Sequence, residues 1–561
     1  MTSFPNINYC WGSLIAEELI RGGIEYFCIA PGSRSSALVV PIARHKKAKT
    51  FVHFDERGLA FHALGYVTAT KKPVVLVCTS GTAVANFLPA VVEASKKKLP
   101  LVVITADRPP ELRQTGAVQT IDQSGIFGKY VVWQTDMPCP DLAIKPEFVL
   151  TTIDQALYQA RRRGGVVHIN CMFREPLSPT EVKTDWKNYF DGTKAWQKSS
   201  QPYTQYVSPK PGSLSDPTAI ARRINAIKKG IVVVGKIDAG EHDAVIEFAK
   251  RLGWPVFADI SSGLRLGCTE KNIIHYFDQL LLSEKVRNEI SDCAIVHLGG
   301  RITSKRYYEF VQAKQPAEYI MVLNHALRND PAHKVTVRLE SSVSDFCKSM
   351  LPLVKRGKNP VLQSLITANQ RLDKDIEAKL RREPLSESYA ARLVSQLVPE
   401  GTGVFLSNSM PIRDMDMYAD FKGAKVQVAG NRGASGIDGI IASACGYAKG
   451  LQAPVTLMIG DLAFLHDLNS LAILKDVEQP VIMVILNNGG GRIFSFLPIA
   501  KEQDVFEKYF GTPHPFTFAN AAAMFELNYH RPHDAKQLGK VYTQAFKSRT
   551  STIIEIMVSR K

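Results

Sequence analysis

Short β-branched runs that end in Gly or Ser turns recur along the chain, and each is followed by an amphipathic stretch of helical length. YFCIAPGS, PVVLVCTSG and LVVITADR lie near the start. IVVVGK, VFADISSG, AIVHLGG and YIMVLN lie in the middle, and VTLMIGD and VIMVILNNGG near the end. An almost continuous apolar run is the signature of a strand buried on both faces, and its alternation with helices predicts parallel sheets covered by helices. The expected class is α/β, built of doubly wound parallel sheets.

Two stretches interrupt this alternation: the Trp-, Ser- and Pro-containing segment from Lys183 to Gly212, and Arg356-Gly357-Lys358-Asn359-Pro360. They predict three domains, 1–182, 183–360 with its linker, and 361–561, as a chain of 561 residues requires at about 100–200 per domain. Beyond the second boundary, QSLITANQRLDKDIEAKLRRE carries enough charge to predict an exposed connecting helix. The first and third domains also echo each other. GYVTATKKPVVLVCTSGT from Gly65 and GYAKGLQAPVTLMIGDLA from Gly446 share a layout at an offset of 381, and each continues through a helix into Pro and an apolar strand, at Pro100 and Pro480. Any two βαβ units share Gly, Pro and Val, so chance is one reading; a duplicated domain is the other.

Composition narrows the class. With 45% apolar and 22% charged residues, the chain is neither disordered nor collagen-like. No apolar stretch approaches the roughly 18–20 residues of a membrane span, and the start lacks a basic segment followed by an apolar one. The expectation is a cytoplasmic protein that does not engage membranes. Nine scattered cysteines without a CxxC pair predict reduced, buried thiols rather than disulfides or zinc. The formal charge of +16 draws in anions. Nucleic acid is not the expected one, because Lys96-Lys97-Lys98 and Arg161-Arg162-Arg163 are short, lack interleaved aromatics, and read as solvated helix ends.

The candidate chemistry lies in the third domain. A strand ends in Gly460-Asp461, and 27 residues after Asp461 a second strand ends in Asn487-Asn488-Gly489-Gly490. Neighbouring parallel strands bring such ends together at the edge where open α/β sheets bind ligands. Asp461 and Asn488 offer two hard oxygens, and the glycine-rich turn lets the Gly490 carbonyl approach. This is half of a Mg²⁺ site, which phosphate oxygens and water would complete. The helix start after Asp461 would offer N–H groups to a diphosphate. Either piece alone would read as a helix cap or a turn; paired at this spacing they favour a metal.

A Gly-Asp followed about 27 residues later by Asn-Asn resembles the thiamine diphosphate (ThDP) binding motif, although Leu462 stands where that motif usually has a second Gly. APGSRSSAL, HFDERGLAFHALG, TSGTAVANFLPAVVEA, TADRPPELR, GAVQTIDQ, NSMPIRDMD, GNRGASGIDG and GDLAFLHDLNSL resemble one branch of these enzymes, the 2-succinyl-5-enolpyruvyl-6-hydroxy-3-cyclohexene-1-carboxylate (SEPHCHC) synthases of menaquinone biosynthesis. The middle domain touches the resemblance at TSKR. The resemblance implies the ThDP-binding fold, with pyrimidine-binding, central Rossmann-like and diphosphate-binding domains. The middle domain has no GxGxxG, which argues against a dinucleotide there.

The resemblance also implies an activity. The family decarboxylates 2-oxoglutarate on ThDP and adds the succinyl unit to isochorismate in a Stetter-like 1,4-addition. Glu56 would hydrogen-bond the pyrimidine N1′ and favour the tautomer that activates the cofactor. Gly460, Asp461 and Asn488 would hold the diphosphate end, with Asp461, Asn488 and Gly490 on Mg²⁺ or Mn²⁺. Ile437 would lie under the cofactor. Ser409, Arg413 and Arg432 would face the part derived from 2-oxoglutarate, and Ser33, Arg34, Arg108, Gln119, Lys305 and Arg306 would face isochorismate. Of these, Arg34, Gln119, Arg413 and Arg432 join Glu56 as expected catalytic residues.

Plainer readings of the same residues stand beside these. Glu56 would belong to a charged turn, Ser33 would cap a helix near Ala37, and Arg108 would pair with Glu111. Lys305 and Arg306 would start an exposed helix, and Ile437 would be core. The implied active site lies at a subunit interface of a homodimer or homotetramer. The rival activity is that of another ThDP-dependent carboligase or decarboxylase, such as acetohydroxyacid synthase.

Overall fold

The computed structural model describes residues 3–207, 216–314 and 316–558, so part of the first boundary segment lies outside the described residues. Among the described residues, seventeen strands form three sheets in which every ladder is parallel. Each of the nine apolar runs is a strand within them.

The first sheet contains β1 (Tyr26–Ile29), β2 (Lys49–Val52), β3 (Val74–Cys78), β4 (Leu101–Asp107), β5 (Val131–Met137) and β6 (Val166–Met172), in the order β2-β1-β3-β4-β6-β5. The middle sheet contains β7 (Gly230–Val234), β8 (Val256–Ala258), β9 (Ala294–Leu298), β10 (Tyr319–Leu323) and β11 (Val337–Glu340), in the order β11-β10-β9-β7-β8. The third contains β12 (Gly403–Leu406), β13 (Gln427–Ala429), β14 (Val455–Gly460), β15 (Val481–Asn487), β16 (Asn528–His530) and β17 (Thr552–Met557), in the order β13-β12-β14-β15-β17-β16. Strand for strand, the third sheet repeats the order of the first.

β3, β4, β6 and β15 are buried at every residue, as strands covered by helices on both faces must be. All nine cysteines are buried and none is disulfide-bonded. Among the described residues, no helix is long and apolar enough to cross a membrane.

The described residues fall into two compact bodies. One holds the first sheet together with Asn431–Gln452 and Ala463–Gln479; the other holds the middle and third sheets. Within the first body the internal echo becomes a helix pair. The helices Glu56–Thr70 and Ile440–Leu451 cross so closely that a Cβ on Gly65 would lie 2.0 Å from the Ser443 carbonyl oxygen, and one on Gly446 would lie 1.9 Å from the His62 carbonyl oxygen. The relation is reciprocal at the offset of 381: Gly65 matches Gly446, and His62 matches Ser443. Both glycines exist for close backbone approach rather than for an unusual φ. Both helices also stop at a left-handed residue, Lys71 and Gln452, again 381 apart.

Two expectations need correction. The charged helix Leu362–Leu380 is not simply an exposed connector. It buries Leu365, Ile376 and Leu380 on one face, and its buried Asp373 pairs with Arg392 at 2.9 Å, because its apolar residues return at helical spacing between the charges. The basic runs do end the helices Leu88–Lys97 and Pro146–Arg163, but they are not wholly solvated. Lys97 donates to Thr68 Oγ1 at 3.1 Å and Arg163 to the Val132 carbonyl at 3.0 Å.

The helix crossing generates a stability prediction. Gly65→Ala forces two backbones apart and is expected to cost about 1–3 kcal/mol, as overpacking does. Gly240→Ala, where a Cβ would meet nothing within 4 Å, serves as the control. Equal thermal unfolding midpoints for the two variants would contradict the close packing.

Candidate active site

In the second body, β14 and β15 pair in register to their ends, Gly460 opposite Leu486, so Asp461 and Asn488 emerge from adjacent strand tips. A Cβ added to Gly460 would meet nothing within 4 Å, which leaves open space above the strand end. Asp461 is 3% exposed. Its Oδ1 accepts from Leu462 N at 2.7 Å and its Oδ2 from Gly490 N at 3.0 Å, with His514 Nε2 3.3 Å from Oδ2. Burial pushes the Asp461 carboxyl above the usual carboxylate range, and the backbone N–H groups pull it back only in part. A cation beside it would remove that penalty.

The glycine-rich turn is built for close approach. Gly490 has φ of +149°, and a Cβ there would lie 2.3 Å from the Gly511 carbonyl oxygen. Asn487 anchors the turn from below: its Oδ1 accepts from Gly489 N and its Nδ2 donates to buried Glu555 at 2.6 Å. Asn488 points elsewhere. Its Nδ2 donates to Glu387 Oε1 at 2.6 Å, and its Oδ1 is buried without a hydrogen-bond partner. A buried carbonyl oxygen without a donor is costly unless something electropositive meets it, so the donor set of Asp461, Asn488 Oδ1 and the Gly490 carbonyl fits a hard cation. The helix after Asp461 runs only from Asp461 to His466, and its first free N–H, on Leu462, is taken by Asp461 itself.

The same body holds Ser409 and Arg413. Ser409 sits at the N-cap position of the helix Met410–Tyr418 without a side-chain capping bond, with φ of +69° and ψ of −130°, a backbone conformation costly for a residue with a side chain and typical of functional sites. The Arg413 guanidinium turns back to donate to the Ser409 carbonyl, and burial lowers its pKa. Lys305 and Arg306 begin the helix Lys305–Ala313. Lys305 is exposed and pairs with Glu309 at 3.0 Å, as the plainer reading had it, while Arg306 is held by the buried Asp278 carboxylate.

In the first body, Glu56 is the first residue of its helix. Asp55 caps that helix, accepting from Arg57 N and Gly58 N, and Arg57 reaches the His466 carbonyl at 3.0 Å. The charges on either side of Glu56 are therefore engaged, whereas the half-buried Glu56 carboxyl makes no hydrogen bond or ion pair with the described residues.

Arg34 and Arg108 follow β1 and β4. Arg34 is 8% exposed, donates to the Phe173 carbonyl at 3.0 Å and leaves its buried Nε without a partner. Burial, and then the nearby Arg108 charge, lower its pKa. Arg108 does not pair with Glu111, which binds Arg174 at 2.6 Å instead. It donates to Ser80 Oγ at 3.0 Å and to the Val118 carbonyl at 2.8 Å. Gln119 has φ of +53° and packs against Gly81. The Ser33 side chain caps nothing; its carbonyl accepts from Ser36. Two arginines and two polar residues thus share the carboxyl edge of the first sheet.

The loop from Asn431 to Gly439 carries Arg432 and Ile437. Ile437 is 36% exposed, so it is not a core isoleucine in this chain. The loop is fastened by a residue sequence reasoning missed: Glu93, 2% exposed, accepts from Gly433 N at 2.7 Å and from Ala434 N at 2.6 Å, with Ser435 N at 3.3 Å. Only the position of Glu93 inside TSGTAVANFLPAVVEA hinted at it. Ser80, Glu387 and His514 were missed likewise.

Residues 11–126 match the family described as thiamine pyrophosphate enzyme, N-terminal TPP binding domain, residues 187–406 the middle domain, and residues 418–556 the C-terminal TPP binding domain. The 2-succinyl-5-enolpyruvyl-6-hydroxy-3-cyclohexene-1-carboxylate synthase of Rubrobacter xylanophilus is 45% identical over 99% of this chain and 96% of its own length. The chain belongs to the SEPHCHC synthase family. A protein of the same name from Salinibacter ruber is 43% identical over 99% of the chain and 95% of its own length. A solved structure, a putative thiamin diphosphate-dependent enzyme from Mycobacterium smegmatis, superposes with a TM-score of 0.73 over 98% of this chain and 99% of that one. At 17% identity it speaks for the fold alone. The fold is therefore the three-domain ThDP-binding fold, and the chain is a ThDP-dependent enzyme.

The Glu93 clamp is testable. Glu93→Gln replaces an acceptor facing N–H groups with a donor. It is expected to cost about 1–3 kcal/mol, the penalty for stranding a buried donor, and to speed amide exchange at Gly433, Ala434 and Ser435. Unchanged exchange there would contradict the clamp.

Proposed function

We propose that this enzyme joins 2-oxoglutarate and isochorismate to give SEPHCHC and CO₂, in menaquinone biosynthesis, with ThDP and Mg²⁺ as cofactors and Mn²⁺ as an alternative metal. The observation that carries the reading is the buried, donorless Asn488 Oδ1 beside Asp461 at adjacent strand tips, in a chain whose relatives bear the name of that synthase throughout their length. ThDP, when bound, supplies the nucleophilic carbon and the electron sink for decarboxylation. The protein's part is to bind, orient and keep charges matched.

In this reading Asp461, Asn488 and the Gly490 carbonyl hold the metal, and Gly460 leaves room for the diphosphate. Glu56, whose neighbours Asp55 and Arg57 are engaged by backbone N–H groups and by His466, keeps a proton on the pyrimidine N1′. Ile437, apolar and exposed, supports the ring. Both substrates are dicarboxylates, and the buried Arg34, which lies next to Arg108, pairs with the exposed Glu175 at 3.3 Å and leaves its Nε without a partner, suits one of them. Arg34, Arg108, Ser33 and Gln119 face isochorismate. Ser409, Arg413 and Arg432 face 2-oxoglutarate. Lys305 and Arg306 contribute to isochorismate binding, Arg306 by exchanging part of its pairing with Asp278. The domains run 1–182, 183–360 and 361–561. The protein acts in the cytoplasm as a homodimer or homotetramer whose sites form between subunits.

A mixture of protein, ThDP, Mg²⁺ and 2-oxoglutarate, with and without isochorismate, tests the whole. CO₂ release from 2-oxoglutarate, with adduct appearing only when isochorismate is present, is expected. CO₂ from pyruvate alone would favour the acetohydroxyacid synthase type. Glu56→Gln is expected to abolish hydrogen exchange at C2 of bound ThDP while cofactor binding persists; exchange at the normal rate would remove Glu56 from this role. Arg413→Ala is expected to lose about 2 kcal/mol, roughly 30-fold, at subsaturating 2-oxoglutarate, and an unchanged rate would dismiss the assignment.

A further inference from the structure

Glu387 lies 101 residues from Asn488 in sequence, as the first residue of the helix Glu387–Leu397 that follows the Ser386 cap. No motif marks it. Its carboxylate nevertheless accepts the Asn488 side-chain N–H at 2.6 Å, and the oxygen on the other side of that amide is buried and has no donor. An asparagine amide is nearly symmetric in shape and opposite in chemistry at its two ends, so packing alone does not decide which end faces the strand tip. The Glu387 side chain decides it, because its Oε1 accepts from the N–H end and so leaves the carbonyl end facing away.

We propose that Glu387 is a positioning residue for the metal: by accepting from Asn488 Nδ2 it forces Asn488 Oδ1 toward the cation shared with Asp461. The inference rests on Asn488 being a metal ligand. It goes beyond that assignment by naming the residue that makes Asn488 a usable one. Other groups around Asn488 do not replace this function. Asn487 is committed to Glu555, and the Gly489 and Gly490 N–H groups are committed to Asn487 and Asp461. In Glu387→Gln the new amide can donate to Asn488 Oδ1, so the side chain is free to turn over and present N–H groups where the cation needs an oxygen. Partners that orient metal ligands in this way are commonly worth 10–100-fold in metal affinity.

The test is a Mn²⁺ titration of the full-length protein in the presence of ThDP, read by the electron paramagnetic resonance signal of free Mn²⁺. Glu387→Gln is expected to weaken Mn²⁺ binding 10–100-fold. The effect should vanish in an Asn488→Asp background, where either orientation of residue 488 offers an oxygen; a merely structural loss would persist there. Wild-type affinity in Glu387→Gln, with weakened binding in Asn488→Ala, would overturn the role of Glu387 and leave Asn488 as a ligand. Wild-type affinity in both variants would overturn the ligand assignment and the proposal with it. An equal loss from Glu387→Gln with and without Asn488→Asp would also overturn it.

Discussion

The chemistry of this protein depends on one electrostatic constraint: oxygen atoms at the tips of two adjacent parallel strands are removed from water without being given enough hydrogen. Asp461 is buried and held up in pKa, and the Asn488 carbonyl has no donor at all. A fold does not keep such a pair for its own stability, since each unsatisfied buried atom costs about 1–3 kcal/mol. The surrounding bonds do not relieve the strain but direct it. Asn487 and Glu555 fix the turn below, Gly490 brings the backbone within reach of Asp461, and Glu387 takes the wrong end of the Asn488 amide. What remains at the two strand tips is a buried carboxylate and a buried amide oxygen without a donor.

The first and third domains share one scaffold but carry different side chains at equivalent places. The first and third sheets share one strand order, and their equivalent helices cross at Gly65 and Gly446. At the offset of 381, Glu56 corresponds to Ile437. Equivalent positions by sequence offset thus carry a carboxyl on the first residue of one helix and an exposed apolar side chain three residues before the other. The two places differ in their side chains, whereas the crossing leaves no room for a Cβ on either glycine.

Much of this was legible in the sequence. The nine apolar runs are strands because burial on both faces leaves periodicity little choice, and the Gly-Asp and Asn-Asn tips meet because β14 and β15 are neighbours in register. What was not legible depends on distance along the chain. Glu93 reaches a loop 340 residues away, and nothing in TSGTAVANFLPAVVEA says that its glutamate faces inward to three backbone N–H groups. Arg108 stands near Glu111 in sequence, but Arg174 arrives from elsewhere to take that carboxylate. Arg306 resembles a ligand in the string TSKR, yet the fold gives it Asp278. The positive φ of Gln119 and Ser409 is invisible in residue types that normally avoid it.

The most direct measurement is a crystal structure of the protein grown with ThDP and Mg²⁺. The account predicts the metal on Asp461, Asn488 Oδ1 and the Gly490 carbonyl, with a Glu56 carboxylate, from the same or a neighbouring subunit, within hydrogen-bonding distance of the pyrimidine N1′. A cofactor bound with its diphosphate away from the β14 and β15 tips, or with Glu56 of every subunit remote from the pyrimidine, would contradict it.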